Sequence, residues 1–261
     1  MDLYLKDKVF IVTGGAKGIG EAIVLELANE GAIPVILGRS KKESLDLEKK
    51  IKDEGGNCLN IIADLSEASV CEKAVQQTVD AFDEIHGVVN NAGVNDGAGL
   101  EEGTPERFRK SVDTNLMHYY DLVHYALPYL KKTKGAVVNI SSKTAITGQG
   151  GTSGYAASKG AQLALTREWA VELAKYEIRV NAVIPAEVMT PQYRRWIDSF
   201  DDSERSLAEI ESRIPLGKRM TTSEEIAATT VFLLSKRSAH TTGQWYVIDG
   251  GYVHLDRAYN E

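Results

Sequence analysis

The chain has 261 residues, 43% of them hydrophobic and 26% charged, with a formal net charge of −7. This length suffices for one α/β domain with a sizeable core, and the acidic balance argues against general attraction to nucleic acid or to an anionic membrane. Cys58 and Cys71 are too few for a secreted disulfide scaffold, residues 1–8 lack the order of a signal peptide, and no apolar run is long enough to span a bilayer, so a cytoplasmic protein is expected.

Short apolar runs alternate with amphipathic stretches along the chain. A strand is expected at 9–12, then a helix at 21–29 with Ile23, Val24 and Leu27 on one face. A strand at 34–37 opens on Pro34, where a missing N–H is tolerated. A helix at 44–53, a strand at 59–62, a helix at 68–82 and a strand at 87–89 follow. Thr104 and Pro105 read as the cap and first turn of one long helix, 105–129. Then come a strand at 136–140, a helix at 155–176, a strand at 179–184, a helix capped by Ser223 and running to 234, and a strand at 245–248. Strict alternation of this kind implies a parallel sheet covered on both faces, here a single doubly wound Rossmann-type domain over 1–261. The one irregular region, 186–216, is expected to act as a lid at the carboxyl ends of the strands.

The loop Thr13-Gly14-Gly15-Ala16-Lys17-Gly18-Ile19-Gly20 joins the first strand to the first helix. Glycines let the backbone approach a pyrophosphate, and the helix N-terminus offers free N–H groups and a positive dipole end. An NAD site usually carries an acid at the end of the second strand, but Gly38-Arg39-Ser40-Lys41-Lys42 stands there instead. Arg39, with Lys17, suits the 2′-phosphate of NADP, without excluding NAD. Both would look the same as plain solvated charges.

Tyr155 and Lys159 are spaced i, i+4 and share a helix face. A free tyrosine, with a pKa of about 10, is a poor base near neutrality; a nearby ammonium and an oxidised nicotinamide would lower that value. Such a pair alone also fits an ordinary helix surface. Ser142, after the strand at 136–140, could hydrogen-bond the reacting oxygen. Asn91, Ala92 and Gly93 could line the cofactor. Asn115 could hold a water linking Lys159 to solvent.

Together, Gly14, Gly18 and Gly20, the turn 90–93, Asn115, Ser142, Tyr155 and Lys159 resemble the motifs of the short-chain dehydrogenase/reductase family over nearly the whole chain. The resemblance implies sheet order 3-2-1-4-5-6-7 for seven strands, and a homotetramer whose tail, 252–261, reaches a neighbouring subunit. It places Asp64 and Leu65 at the adenine, and Pro185, Val188 and Thr190 on the nicotinamide side. Asp64 could equally be a helix cap. One departure is Pro185-Ala186, where the family often has Pro-Gly.

The mouth is polar. Asn95, Asp96, Lys143, Thr147, Gln149, Glu187 and Arg194 suit a polyhydroxylated ligand, and Tyr193 or Trp196 could stack on a sugar ring, whereas an acyl or steroid pocket would be more apolar. These segments, with 166–170 and 254–257, resemble the L-fucose dehydrogenase branch of the family. That implies oxidation of an aldose at C1, L-fucose or D-arabinose, to the aldonolactone. Two alternatives stand beside it: an NADP(H)-dependent carbonyl or 3-oxoacyl reductase, and a non-catalytic NADP(H)-binding regulator, against which the intact Ser142, Tyr155 and Lys159 argue. No metal, nucleic-acid or membrane partner is expected.

Overall fold

A computed structural model describes residues 1–67 and 69–255. Residues 256–261, and with them most of the tail expected to reach a neighbour, lie outside the described residues. Seven strands form one parallel sheet: β1 (Val9–Thr13), β2 (Ile33–Gly38), β3 (Leu59–Ile62), β4 (Gly87–Asn90), β5 (Ala136–Ile140), β6 (Arg179–Pro185) and β7 (Trp245–Ile248). Their order is β3-β2-β1-β4-β5-β6-β7, as the resemblance implied. The helices are α1 (Gly18–Asn29), α2 (Lys41–Asp53), α3 (Val70–Phe82), α4 (Pro105–Val112), α5 (His118–Thr133), α6 (Thr144–Thr147), α7 (Ser153–Leu173), α8 (Pro191–Ile197), α9 (Ser203–Ser212) and α10 (Ser223–Leu234).

Residues alternate across the sheet, so β1 feeds two cores. Phe10 and Val12 pack with α1, α2 and α10 through Leu27, Leu47, Ile51 and Val231. Val9 and Ile11 pack on the other face with α3, α5 and α7 through Val75, Leu122, Ala126 and Trp169. Strands buried on both faces read as continuous apolar runs because no face is left for water. Each such Val, Leu or Ile contributes about 1.5–3 kcal/mol by leaving water.

Four expectations change. Pro34 is the second residue of β2, not the first. Ile33 N–H bonds Lys8 on the β1 side, so the position of Pro34 faces β3, whose pairing starts only at Val35. The long helix after Thr104 is broken by a π-helical turn, Asp113–Met117. Thr222, not Ser223, caps α10: its hydroxyl accepts from Glu225 N–H at 3.2 Å while Glu225 accepts from Thr222 N–H at 2.8 Å. The segment 186–216 holds two helices, because Thr190 caps α8 ahead of Pro191 and Asp202 caps α9.

Strand order reverses between β1 and β4, which places a crevice at the carboxyl ends of the sheet. The loops after β1, β4, β5 and β6 all open there.

Candidate active site

Thr13, at the end of β1, fixes one wall. Its hydroxyl accepts from the backbone N–H of Asn91 at 2.8 Å and of Ala92 at 3.0 Å, and the Asn91 amide donates to Thr13 O at 2.9 Å. The glycine loop therefore lies directly against the turn after β4. A Cβ on Gly20 would stand 2.2 Å from Gly14 O and 2.7 Å from Asn91 Nδ2, so only glycine fits. Gly14 and Gly18 take φ of +63° and +56°, and a Cβ on Gly18 would meet Thr190 at 3.2 Å. The loop, the α1 N-terminus with Ile19, and Thr190 thus form the close backbone cradle that a pyrophosphate requires, and these residues fit a dinucleotide.

At the adenosine end the two expected phosphate partners are exposed and held by acids. Arg39 pairs with Asp64 at 3.3 Å and Lys17 with Glu43 at 2.5 Å. The second oxygen of Asp64 accepts from Ser66 N–H at 3.0 Å and Ser66 Oγ at 2.8 Å, and these bonds lower its pKa. Asp64 is therefore a turn-forming acid as well as a partner of Arg39. Leu65 packs beside it against the α3-side core.

The floor of the crevice is made by α7, whose Gly154 lies so near α4 that a Cβ there would be 2.5 Å from Ser111 Cβ. This close approach sets Tyr155 and Lys159 under the loops. Ser142 lies close enough to the Tyr155 phenol to lower its pKa, against the opposing effect of burial. Ser141 Oγ donates to Lys159 O at 2.9 Å, tying the β5 loop to the same helix. Lys159 is 2% exposed; its ammonium donates to Ile140 O at 2.7 Å and to Tyr119 Oη at 3.3 Å, and lies 5.5 Å from the centre of the Tyr155 ring.

Burial adds an effect that the sequence does not show. Burial pushes the Tyr155 phenol up to about 12 and pulls Lys159 down to about 7. Loss of water outweighs the lowering effect of Ser142 on the phenol, while the Lys159 ammonium is turned toward Ile140 and Tyr119. Without a dinucleotide Tyr155 is a protonated phenol.

Asn115 sits on the π turn, fully buried. Its Oδ1 accepts from Val94 N–H at 2.7 Å, its Nδ2 donates to Ser111 O at 2.9 Å, and its carbonyl accepts from Gln162 Nε2 at 2.8 Å. Oδ1 also lies 3.1 Å from where a Gly93 Cβ would be, and Lys159 Nζ is 3.6 Å from that point, so Gly93, Asn115 and Lys159 do come together. Sequence reasoning missed Tyr119 and Gln162. Tyr119 reads as one more apolar position of α5, yet it is four residues after Asn115 on the same face, the spacing that could have flagged it.

At the mouth the expected substrate residues divide. Lys143 follows Ser142, its N–H donates to Pro185 O at 3.0 Å, and its ammonium pairs with Glu187 and lies 4.5 Å from the Tyr252 ring centre. Tyr193 Oη donates to the other Glu187 oxygen at 2.7 Å. Tyr193, Trp196 and Phe200 form edge-to-face pairs at 5.1 and 4.9 Å. Val188 bridges to Thr221. Asn95 Oδ1 accepts from Gly97 N–H at 3.3 Å, and Asp96 from Ser111 Oγ at 2.9 Å. Gln149 is exposed on a loop whose Gly148, Gly150 and Gly151 all have positive φ. Tyr252, the start of the tail, packs on the chain's own Lys143.

Among the described residues no helix is long and apolar enough to cross a membrane, and no cluster of three metal-ligating side chains occurs. A family profile described as enoyl-(acyl carrier protein) reductase matches residues 14–253. The chain is 37% identical to the 3-oxoacyl-(acyl-carrier-protein) reductase of Thermotoga maritima over 251 residues, covering 95% of this chain and 99% of that protein. It is 34% identical to the L-fucose dehydrogenase of Mus musculus over 245 residues, covering 94% and 88%. The crystal structure of the Cj0485 dehydrogenase superposes with a TM-score of 0.93 at 48% identity, covering 99% of this chain and 98% of that one. With this sheet order and these matches, the chain belongs to the short-chain dehydrogenase/reductase family of NAD(P)(H)-linked oxidoreductases.

Proposed function

We propose that this oxidoreductase removes hydride from C1 of an aldose, L-fucose or D-arabinose, with NADP as acceptor, giving the aldonolactone. The observation that carries the reading is the partly buried Lys143–Glu187–Tyr193 cluster beside Ser142: a charged, hydrogen-bonding wall suits a ring of hydroxyls and suits an acyl chain poorly. Similarity to a mammalian L-fucose dehydrogenase supports it.

The dinucleotide, when bound, supplies the hydride acceptor and, oxidised, a positive charge near the phenol. Gly14, Gly18, Ile19 and Gly20 would hold its pyrophosphate; Lys17 and Arg39 its 2′-phosphate; Asp64 and Leu65 its adenine; Asn91, Ala92, Gly93, Pro185, Val188 and Thr190 its nicotinamide half. Ser142 orients the C1 hydroxyl toward Tyr155, whose Oη takes the hydroxyl proton. A phenol at about 12 has to be lowered for this step, so Tyr155 is a base only in the loaded enzyme. Lys159 carries the compensating charge, and Asn115 fixes the floor beneath it. Glu187, Asn95 and Gln149 bond sugar hydroxyls, and Tyr193 and Trp196 cover the ring, with 186–216 as the lid.

Reduction of a 3-oxoacyl thioester is the second reading, favoured by the comparable identity to the Thermotoga reductase. We also infer a homotetramer, supported by exposed apolar side chains on α5 and α7, Tyr120 at 51% and Val171 at 79%. The test follows NADPH absorbance with L-fucose, D-arabinose, D-glucose, a simple secondary alcohol and a 3-oxoacyl thioester. Turnover of L-fucose well above the alcohol is expected. A silent sugar panel with fast thioester reduction replaces the first reading by the second.

A further inference from the structure

The ion pair between Lys143 and Glu187 is nearly enclosed, the two side chains being 12% and 8% exposed. Two charges removed from water cost several kcal/mol each, and their attraction often only balances that cost, so such a pair is weak as a device for stability alone. This one also sits at a junction. Lys143 is the residue after Ser142, Glu187 lies just past β6, Tyr193 comes from α8, and Tyr252 lies over Lys143 from the C-terminal side. Backbone bonds hold the junction in place: Lys143 N–H to Pro185 O at 3.0 Å, and Thr221 N–H to Glu187 O at 3.0 Å.

A carboxylate has about four acceptor directions. Lys143 takes one on Oε1 and Tyr193 one on Oε2, on different oxygens. Each oxygen keeps one direction for a further donor, which is the arrangement that accepts two neighbouring hydroxyls of a ring. Neutral alternatives would lack the charge that makes such bonds strong.

We propose that Lys143 is a positioning residue for substrate recognition, keeping Glu187 aimed so that its two remaining acceptor directions clamp a vicinal diol of the sugar. The proposal rests on the sugar reading and goes beyond it by assigning the discrimination to a two-residue unit. Its selectivity is for adjacent hydroxyls, not for the reacting carbon. A substrate lacking one of that pair leaves a buried acceptor unfilled, and discrimination is then large.

The experiment compares wild type, Lys143→Met, Lys143→Arg and Glu187→Gln on L-fucose and on a series of monodeoxy analogues, reading KM and kcat separately. In the wild type one or two analogues should lose about ten- to a hundredfold in kcat/KM. In Lys143→Met that discrimination should collapse, with KM for L-fucose rising more than kcat falls, and Lys143→Arg should restore much of it. Lys143→Met and Glu187→Gln should be strongly non-additive when combined. Fluorescence titration of NADPH checks that each variant is folded and binds the dinucleotide. If Lys143→Met lowers activity on every sugar by the same factor and discrimination persists, the pair is only a brace and the proposal fails. If the wild type oxidises no aldose, it is the sugar reading that fails.

Discussion

The floor of the crevice and its mouth differ in how their polar groups are engaged. On the floor, Asn90, Asn115, Asn139, Gln162 and Thr166 are fully buried and bonded to one another or to backbone: Asn90 to Asn139 at 3.0 Å, Asn139 to Thr166 at 2.9 Å, Gln162 to Asn115 at 2.8 Å. At the mouth, Arg39, Lys17 and Trp196 are well exposed, and the ionic contacts there face water. A buried network holds one geometry, which general acid–base chemistry needs. Exposed pairs are worth at most about 1 kcal/mol and can be traded for a ligand's phosphate or hydroxyl at little cost. On the proposed function, the reaction type resides in the rigid part and selectivity in the adjustable part. Glu187 is the exception, a mouth residue built like a floor residue.

The largest expected effect tests the floor. Tyr155→Phe removes the proposed proton carrier and keeps the ring, so turnover should fall by about 10²–10⁴-fold. NADPH binding, followed by fluorescence, should change little. Near-normal turnover would mean that another group moves the proton.

Glu187→Ala tests the exception. It leaves Lys143 and Tyr193 Oη without their shared acceptor, and kcat/KM for L-fucose should drop about ten- to a hundredfold while NADPH affinity holds. An equal loss in both would make Glu187 a general support for the site.

Arg39→Asp tests the mouth at the cofactor end. It replaces the proposed 2′-phosphate partner by a repulsive charge beside Asp64, and the NADP-to-NAD ratio of kcat/KM should fall about tenfold or more. An unchanged ratio would leave Arg39 as the partner of Asp64 and nothing else.

The same contrast governs what could be read from the sequence. All seven strands and the crevice motifs follow from local rules: apolar runs between helical stretches, glycines at a strand–helix junction, a phenol and an ammonium one turn apart. Asn115 was legible as a residue but not as a π turn, since no local signal at 113–117 marks the extra residue; its bond to Ser111 is local, but those to Val94 and Gln162 come from distant elements. Tyr119 was hidden for a similar reason: its hydroxyl matters only because the fold brings Ile140 and Lys159 to it. The upward push of burial on Tyr155 without a dinucleotide was not legible, because spacing shows a neighbouring charge but not the loss of water. The caps at Thr190 and Asp202 were present in the sequence, and short helices of 7 and 10 residues with little apolar periodicity concealed them.

The smallest effect is on stability, and it measures what the floor costs. Lys159 is held near 7 by burial, against 10.5 for a lysine in water. Below about pH 7 the group is charged in both folded and unfolded chains, and the folded state bears the full penalty of a buried charge. Between about 7 and 10.5 the unfolded chain binds more protons than the folded one, so wild-type stability from this group rises with pH across that window. Lys159→Met carries no such charge. Its bonds to Ile140 O and Tyr119 are lost at every pH, which shifts the variant by a constant amount and leaves the slope untouched. The difference in unfolding free energy from urea titrations, variant minus wild type, should therefore be most favourable to the variant at pH 6 and should fall by about 1–2 kcal/mol at pH 8, each pH unit in the window being worth about 1.4 kcal/mol. His118, which burial and Lys159 together hold at about 4, is already neutral in the folded chain at these pH values, so titrations elsewhere contribute little to the difference. A pH-independent difference would mean that Lys159 is charged in the folded protein across this range, held so by Ile140 and Tyr119, and that the floor bears no electrostatic cost.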